Sequence, residues 1–189
     1  MQSQKRLKNI GDYIMSLRTI LIFPEFDNIE IIEQIRKKYD PLAQLIKPHI
    51  TIVFPFESQM SNGELKQIIQ NHLKIVKPFE IELYGFSKQA DQYGNYLFLN
   101  IVKGENEIST IHHLLYENEL KEFDLGLPYI PHLTVGKLPS TQALENAFHE
   151  IEEINAVFRT KVEKIAVEII GENKESIIQF VIDLKGEIL

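Results

Sequence analysis

The sequence has no cysteine. Disulfides, thiolate zinc sites and cysteine nucleophiles are thereby excluded, and the composition fits a reducing cytoplasm. No apolar run approaches the ~18 residues needed to cross a bilayer. The first eight residues are polar and basic, and neither an apolar run nor a small-residue cleavage site follows them, so no secretory leader is expected. Also missing are a glycine-rich phosphate loop, a Gly-x-Ser-x-Gly elbow and a His-Glu-x-x-His pair. Positive charge is in deficit, with 20 Lys and Arg against 27 Asp and Glu and a net charge of −7. Coating duplex nucleic acid needs clustered positive charge, so that class is set aside. A small anionic ligand held in a cleft stays compatible with this charge.

What is present reads as one α+β unit. Leu7, Ile10, Ile14 and Leu17 fall at helical spacing, so residues 1–17 are expected to be an extension with a short amphipathic helix. The remainder, 18–189, reads as a single domain of two similar halves, about 18–104 and 105–189. Arg18 to Phe23 is a buried strand ending at Pro24. A helix capped by Asp27 or Asn28 runs to about Tyr39, and Asp40-Pro41 stops it. Residues 49–54 form a strand ended by Pro55, and Ser61 or Asn62 opens a helix to about Leu73. Phe79–Phe86 and Tyr96–Val102 form a hairpin. The second half predicts a helix over Asn106–Leu120, a strand over Tyr129–Lys137 and a helix from Pro139-Ser140-Thr141 to Ile154. Two long strands follow, Val157–Ile170 and Ile177–Leu184. Two such halves predict a cleft between two lobes.

One tetrapeptide occurs at the same place in each half: Pro48-His49-Ile50-Thr51 and Pro131-His132-Leu133-Thr134. Side chains alternate along a strand. His49, Thr51 and Val53 are therefore expected on one face, as are His132, Thr134 and Gly136. The alternate residues are apolar and pack under helices. A face of imidazoles and hydroxyls costs a few kcal/mol to bury unpaired, so it meets solvent, a polar network or a ligand. Two histidines and two threonines suit acid–base chemistry on a phosphate ester. One neutral imidazole takes a proton from the attacking group, the other, as imidazolium, protonates the leaving oxygen, and the threonines donate to the phosphate. One copy of the tetrapeptide is a weak signal, and two at equivalent positions are a strong one.

No arginine adjoins either motif, so Lys47, Lys137 and Arg18 are the nearest candidates for added charge on a phosphate, with solvated strand-end lysines the alternative for Lys47 and Lys137. Tyr129, Phe56, Phe86 and Tyr93 lie near motif or hairpin ends and are candidates for stacking on a base, with core packing the competing role for the first three and plain exposure in the polar turn for Tyr93. His72 and His149 are expected to be exposed, and the neighbouring His112 and His113, which cannot face the same way on one helix, to be at the surface or partly buried. A metal centre is the poorer reading, because neither motif contains a carboxylate and zinc wants three or four protein ligands. No cofactor is expected. A non-catalytic nucleotide-binding or RNA-end-binding module is the alternative to an enzyme.

These motifs, with Phe23-Pro24, the stretch Arg36-Lys37-Lys38-Tyr39-Asp40-Pro41 and the run into Phe54-Pro55-Phe56, resemble the two-histidine (2H) phosphoesterase superfamily. The likeness is to its bacterial 2'-5' RNA ligase-like branch of RNA 2',3'-cyclic phosphodiesterases, and it extends from about Met15 to the end. The resemblance implies a bilobed fold, with two antiparallel sheets lining a central groove and helices outside. It implies metal-independent action on 2',3'-cyclic phosphates or 2'-5' phosphodiester bonds, with His49 and His132 as the acid–base pair and Thr51 and Thr134 as phosphate ligands. The expected partner is a small phosphorylated nucleotide or a short RNA end, without duplex DNA or membrane, bound by a cytoplasmic monomer.

Overall fold

The computed structural model describes residues 16–186. The helix expected over residues 1–17 falls almost wholly on 1–15, outside the described residues, and Ser16 and Leu17 already belong to a strand. In order come β1 (Ser16–Ile22), α1 (Ile29–Tyr39), β2 (Ile50–Ser58), α2 (Asn62–Leu73), β3 (Phe79–Asp91) and β4 (Gly94–Lys103). They are followed by α3 (Glu105–Tyr116), β5 (His132–Leu138), α4 (Thr141–Ile151), β6 (Val157–Val162), β7 (Lys164–Ile170) and β8 (Ser176–Asp183). A short 3-10 turn, Lys121–Phe123, ends the helical region that the sequence carries to Leu120.

Local chemistry accounts for most boundaries. Ser61 caps α2 in a reciprocal box, taking the Glu64 amide while the Glu64 carboxylate takes the Ser61 amide. Ser140 caps α4 through the Ala143 amide. Asn28 precedes α1 but does not cap it, because its side-chain amide donates instead to the Val157 carbonyl, tying α1 to β6. Gly104 enters α3 at φ 87°, and a Cβ there would lie 2.8 Å from the Glu80 carbonyl, so only glycine fits. Strand β2 does not stop at Pro55. It runs on to Ser58, because the register slips between Ile20↔Val53 and Arg18↔Phe56, and Pro55 sits in the slip, where a missing N–H costs no ladder bond.

The strands form one antiparallel sheet, ordered β6-β3-β4-β5-β2-β1-β7-β8. This corrects the expectation of two sheets: the two sets of four strands are continuous, joined at the centre by the single pair Ile50↔Leu133 of β2 and β5. It also corrects the long strand expected over 157–170. The segment breaks at Glu163, sending β6 to pair with β3 on one side and β7 to pair with β1 on the other. The sequence halves thus exchange strands.

Helices cross in the same way. Helix α1 follows β1 but packs on β5, whereas α3 follows β4 and packs on β2. Helix α4 joins α1 behind β3, β4 and β5, and α2 joins α3 near β8. All four bury apolar stripes, such as Ile32 and Ile35 of α1 or Ile108, Ile111 and Leu115 of α3, against one face of the sheet. Ile50, Ile52, Leu97, Leu99, Leu133 and Val135 are fully buried on that face. The other face is where the polar residues of β2 and β5 emerge.

Candidate active site

The central pair Ile50↔Leu133 fixes the geometry of both motifs. Both side chains are buried in the core. Their neighbours therefore point the opposite way. Counting one residue either way in an antiparallel register sets His49 beside Thr134 and Thr51 beside His132. The four groups occupy the corners of a quadrilateral, with imidazoles on one diagonal and hydroxyls on the other. Diagonal cross-strand neighbours lie about 7–8 Å apart. All four residues are partly exposed. Such a frame has room for one tetrahedral anion between two imidazoles and two hydroxyls.

Beyond each threonine the alternation breaks. In β2 the pairs Leu21↔Thr51 and Ile20↔Val53 take one step in β1 and two in β2, which places a bulge at Ile52-Val53. In β5 the pairs Phe98↔Thr134 and Leu97↔Gly136 place the same bulge at Val135-Gly136. Both residues of each bulge face the core. Val53 and Gly136 are thus not on the polar face with the histidines, as strict alternation predicts. Gly136 lies under α1 instead: a Cβ at that position would come 2.9 Å from Cβ of Tyr39. The parity change has a second result. Tyr96 pairs with Lys137 and Phe98 with Thr134, so Lys137 returns to the face of Thr134 and His132.

Both imidazoles are held by the same bond. Nδ1 of His49 donates to the Lys47 carbonyl (2.9 Å) and Nδ1 of His132 to the Ile130 carbonyl (2.7 Å). A proton on Nδ1 leaves Nε2 as the free position in both rings. Their flanks differ. His132 leans on Phe98, with ring centroids 3.8 Å apart, and His49 is 6.2 Å from Phe23. Burial holds both pKa values below the ordinary histidine value. For His49, Arg36 and His132 lower it further, whereas the Lys47 carbonyl and Asp40 oppose the shift.

Arg36 is a residue that sequence reasoning missed, since it stands 13 positions before His49. It is 2% exposed, and its Nε donates to Oδ2 of Asp40 at 2.8 Å. A terminal nitrogen is equally near that oxygen but off the hydrogen-bond direction, making a charge contact only. Oδ1 of Asp40 accepts the Leu42 amide, which turns the chain out of α1 toward the motif.

Three side chains satisfy the backbone of the β2 bulge. Nδ1 of His112 donates to the Ile52 carbonyl (2.7 Å), the Tyr129 hydroxyl donates to the Thr51 carbonyl (2.7 Å), and the Phe54 amide donates to the Tyr116 hydroxyl (3.1 Å). The rings of His112 and Tyr129 stack at 3.6 Å. His112 is therefore buried, more deeply than the surface or partly buried place expected from the sequence; burial depresses its pKa and raises that of Tyr129. Three histidines with lowered folded pKa values, His49, His112 and His132, bind protons more readily once unfolded. Stability is complete above the ordinary histidine pKa of about 6.5 and falls as pH drops through the window below it. Thermal melts between pH 7.5 and 5.5 are expected to show this loss, and His112→Asn, which keeps a donor near Nδ1, to reduce it.

The other sequence candidates are dispersed. Lys47 is exposed and contributes its carbonyl to His49. Lys137 is exposed, with Nζ 5.0 Å from the ring centroid of Tyr96. Arg18 is 5% exposed, pairs with Phe56 six residues along β2 from Ile50, and points its guanidinium at Ser58 and Asn62, remote from the motifs. Tyr129 commits its hydroxyl and one ring face to the bulge, as above. Phe56 is buried against Phe123, and Phe86 packs on the core, whereas Tyr93 is exposed in the β3–β4 turn. His72 pairs with Glu119, and His149 with Glu152. Among the described residues no three or more His, Cys, Asp or Glu side chains are grouped to hold a metal ion, and no helix is long and apolar enough to cross a membrane.

Known proteins share this fold. The fold matches the crystal structure of E. coli LigT complexed with 3'-AMP at a TM-score of 0.59 and 15% identity, covering 90% of this chain and 98% of that one. It matches a phosphoesterase crystal structure at 0.58 and 14%, over 90% and 99% of the two chains, and LigT complexed with NADP+ at 0.56 and 13%, over 92% and 99%. Among curated proteins, a Bacillus pumilus (strain SAFR-032) protein named "Putative phosphoesterase" is 29% identical over 122 residues, 62% of this chain and 68% of that protein. The sequence model of the 2'-5' RNA ligase superfamily matches residues 23–173, the span that includes both motifs. The chain belongs to the 2'-5' RNA ligase superfamily, the family of two-histidine phosphoesterases.

Proposed function

We propose that this protein is a phosphodiesterase that acts on 2',3'-cyclic phosphates or 2'-5' phosphodiester bonds of nucleotides or RNA ends, by two-histidine acid–base catalysis without a metal. The observation that carries the reading is the quadrilateral of His49, Thr134, His132 and Thr51 around Ile50↔Leu133, with both Nδ1 atoms committed to backbone carbonyls. The matched bulges and exchanged helices support a duplicated, bilobed unit closing on one phosphate.

In hydrolysis of a 2',3'-cyclic phosphate, Nε2 of one neutral imidazole takes a proton from water as its oxygen attacks phosphorus. One ribose oxygen leaves and receives a proton from Nε2 of the other imidazolium. The ring opens to a phosphomonoester, with one proton gained by the first histidine and one lost by the second. Thr51 and Thr134 donate to the non-bridging oxygens, where charge accumulates. Each Nδ1–H stays on its carbonyl, fixing ring orientation and spreading the imidazolium charge. LigT has been crystallised with 3'-AMP and with ATP, which supports a nucleotide as the ligand here.

The test is turnover of 2',3'-cyclic nucleotides and 2'-5'-linked dinucleotides across pH. One acid and one base predict a bell-shaped profile of kcat/KM, which reports the free enzyme. Both imidazoles are held below the ordinary value by burial, so the maximum is expected below about pH 6.5. Activity is expected to persist in chelator. Ligand binding without turnover of any substrate in the panel overturns the enzyme reading in favour of a binding module. A profile still rising above neutrality overturns the assignment of both groups.

A further inference from the structure

The two motif strands are joined by one registered pair, Ile50↔Leu133. Past that pair β2 continues through Thr51, but the chain that enters β5 is irregular, and residues 124–131 belong to no helix or strand. This irregular segment nevertheless carries the Ile130 carbonyl, which takes Nδ1–H of His132 and sets that ring. Packing of Ile130 does not hold its carbonyl in place, since the side chain is 64% exposed. Two turn bonds, from the Asp124 amide to the Lys121 carbonyl and from the Gly126 amide to the Asp124 carboxylate, lie at the far end of the segment.

Tyr129 ties the near end to the sheet. Its hydroxyl donates to the Thr51 carbonyl at 2.7 Å, across 78 positions of sequence. Its ring lies flat on His112 of α3, with centroids 3.6 Å apart and planes at 4°. His112 is held in turn by its bond to the Ile52 carbonyl, so the two stacked rings hang on consecutive carbonyls of β2. Burial raises the Tyr129 pKa, and the hydroxyl therefore stays a donor. One hydroxyl thus connects the backbone of Thr51 to the residue beside Ile130, whose carbonyl orients His132. Thr51 and His132 share an edge of the quadrilateral. The first motif is approached differently. Ile46 stands at the same place before His49 and has no hydroxyl. Backbone bonds hold the chain there, from the Leu45 and Ile46 amides to the Leu42 carbonyl and from the Ser176 amide to the Leu45 carbonyl.

We propose that Tyr129 is a positioning residue: clamped by His112, its hydroxyl pins the chain before His132 to β2 and so fixes His132 and Thr51 relative to each other. It touches no substrate and moves no proton. The inference rests on the phosphodiesterase reading and gives Tyr129 a role other than stacking on a base. The competing account is that the hydroxyl only satisfies a buried carbonyl. Thr19, itself 3% exposed, does that for the Val53 carbonyl of the same bulge, at 2.7 Å.

Thr19 therefore supplies the comparison for the test. Tyr129→Phe and Thr19→Val each take one hydroxyl from one carbonyl of the bulge, and Phe keeps the stack on His112. Both are expected to lower the melting temperature by similar amounts. On adenosine 2',3'-cyclic phosphate, Tyr129→Phe is expected to lose roughly ten- to hundred-fold in kcat/KM, and Thr19→Val to keep its activity. Nitrogen-15 spectra of the histidine side chains read the cause. In Tyr129→Phe, Nδ1–H of His132 is expected to exchange faster with solvent and the ring to populate the Nε2–H tautomer, with His49 unchanged. Equal losses of activity in the two variants, undiminished turnover in Tyr129→Phe, or an unaltered His132 spectrum overturns the proposal. If the unaltered protein turns over neither cyclic nor 2'-5'-linked substrates, the hydrolase reading fails, and the spectra alone decide the positioning. A change at His132 without one at His49 sustains it. No change, or equal change at both rings, overturns it.

Discussion

Replacing either His49 or His132 by alanine is expected to lower kcat on a 2',3'-cyclic nucleotide by about 10²–10⁴-fold, with little change in KM. The imidazoles act on protons that move only in the transition state, whereas ground-state binding falls to the threonines and whatever holds the nucleoside. The double variant is expected to be little worse than the poorer single one, since an acid without its base has little left to do. Both rings are partly exposed and each makes one backbone bond, so thermal melts are expected to stay close to those of the unaltered protein. The pair can then be told apart chemically. A leaving group such as p-nitrophenolate needs no proton, so the variant lacking the general acid regains rate on a p-nitrophenyl phosphodiester, and the variant lacking the base does not. Full activity in either alanine variant would sink the two-histidine mechanism.

How much of this could be seen without coordinates follows from which interactions are local. The motif strands, the capping of α2 by Ser61 and of α4 by Ser140, and the β3–β4 hairpin rest on short-range patterning, and the fold repeats them. The diagonal placement of histidines and threonines needed one more fact, the pairing of Ile50 with Leu133, which joins residues 83 positions apart. The bulges were not legible for a related reason. Alternation holds only while a strand pairs one to one, and the extra residue at Val135-Gly136 lies against Tyr39 of α1, a contact between distant parts of the chain that local patterning does not announce. Strict alternation therefore misplaced Val53 and Gly136 and hid the return of Lys137 to the polar face. The division of 157–170 at Glu163 had no local breaker to announce it, being neither Gly nor Pro; it arises because β6 and β7 serve opposite ends of the sheet.

Breaking the ion pair of Arg36 and Asp40 is the structural counterpart of that experiment. Both side chains are almost fully buried, at 2% and 6% exposure, so removing one strands a charge away from water. Losses of about 3–5 kcal/mol are typical. Arg36→Leu is expected at the lower end, because Asp40 keeps the Leu42 amide as a partner. Asp40→Leu is expected at the upper end, because it leaves a guanidinium that cannot shed its proton. The double replacement should recover much of the loss, since two apolar side chains need no partner. Urea titrations of the four proteins measure this cycle, and strictly additive losses would show that the pair does not act as a unit. Activity supplies an independent readout. Arg36 lowers the His49 pKa and Asp40 raises it. The limb of the kcat/KM profile governed by His49 is therefore expected to move to higher pH in Arg36→Leu and to lower pH in Asp40→Leu. A scaffold role alone destabilises both variants without moving that limb in opposite directions. Opposite shifts would make the pair a positioning element for His49, one that holds the end of α1 and sets the proton affinity of the neighbouring imidazole.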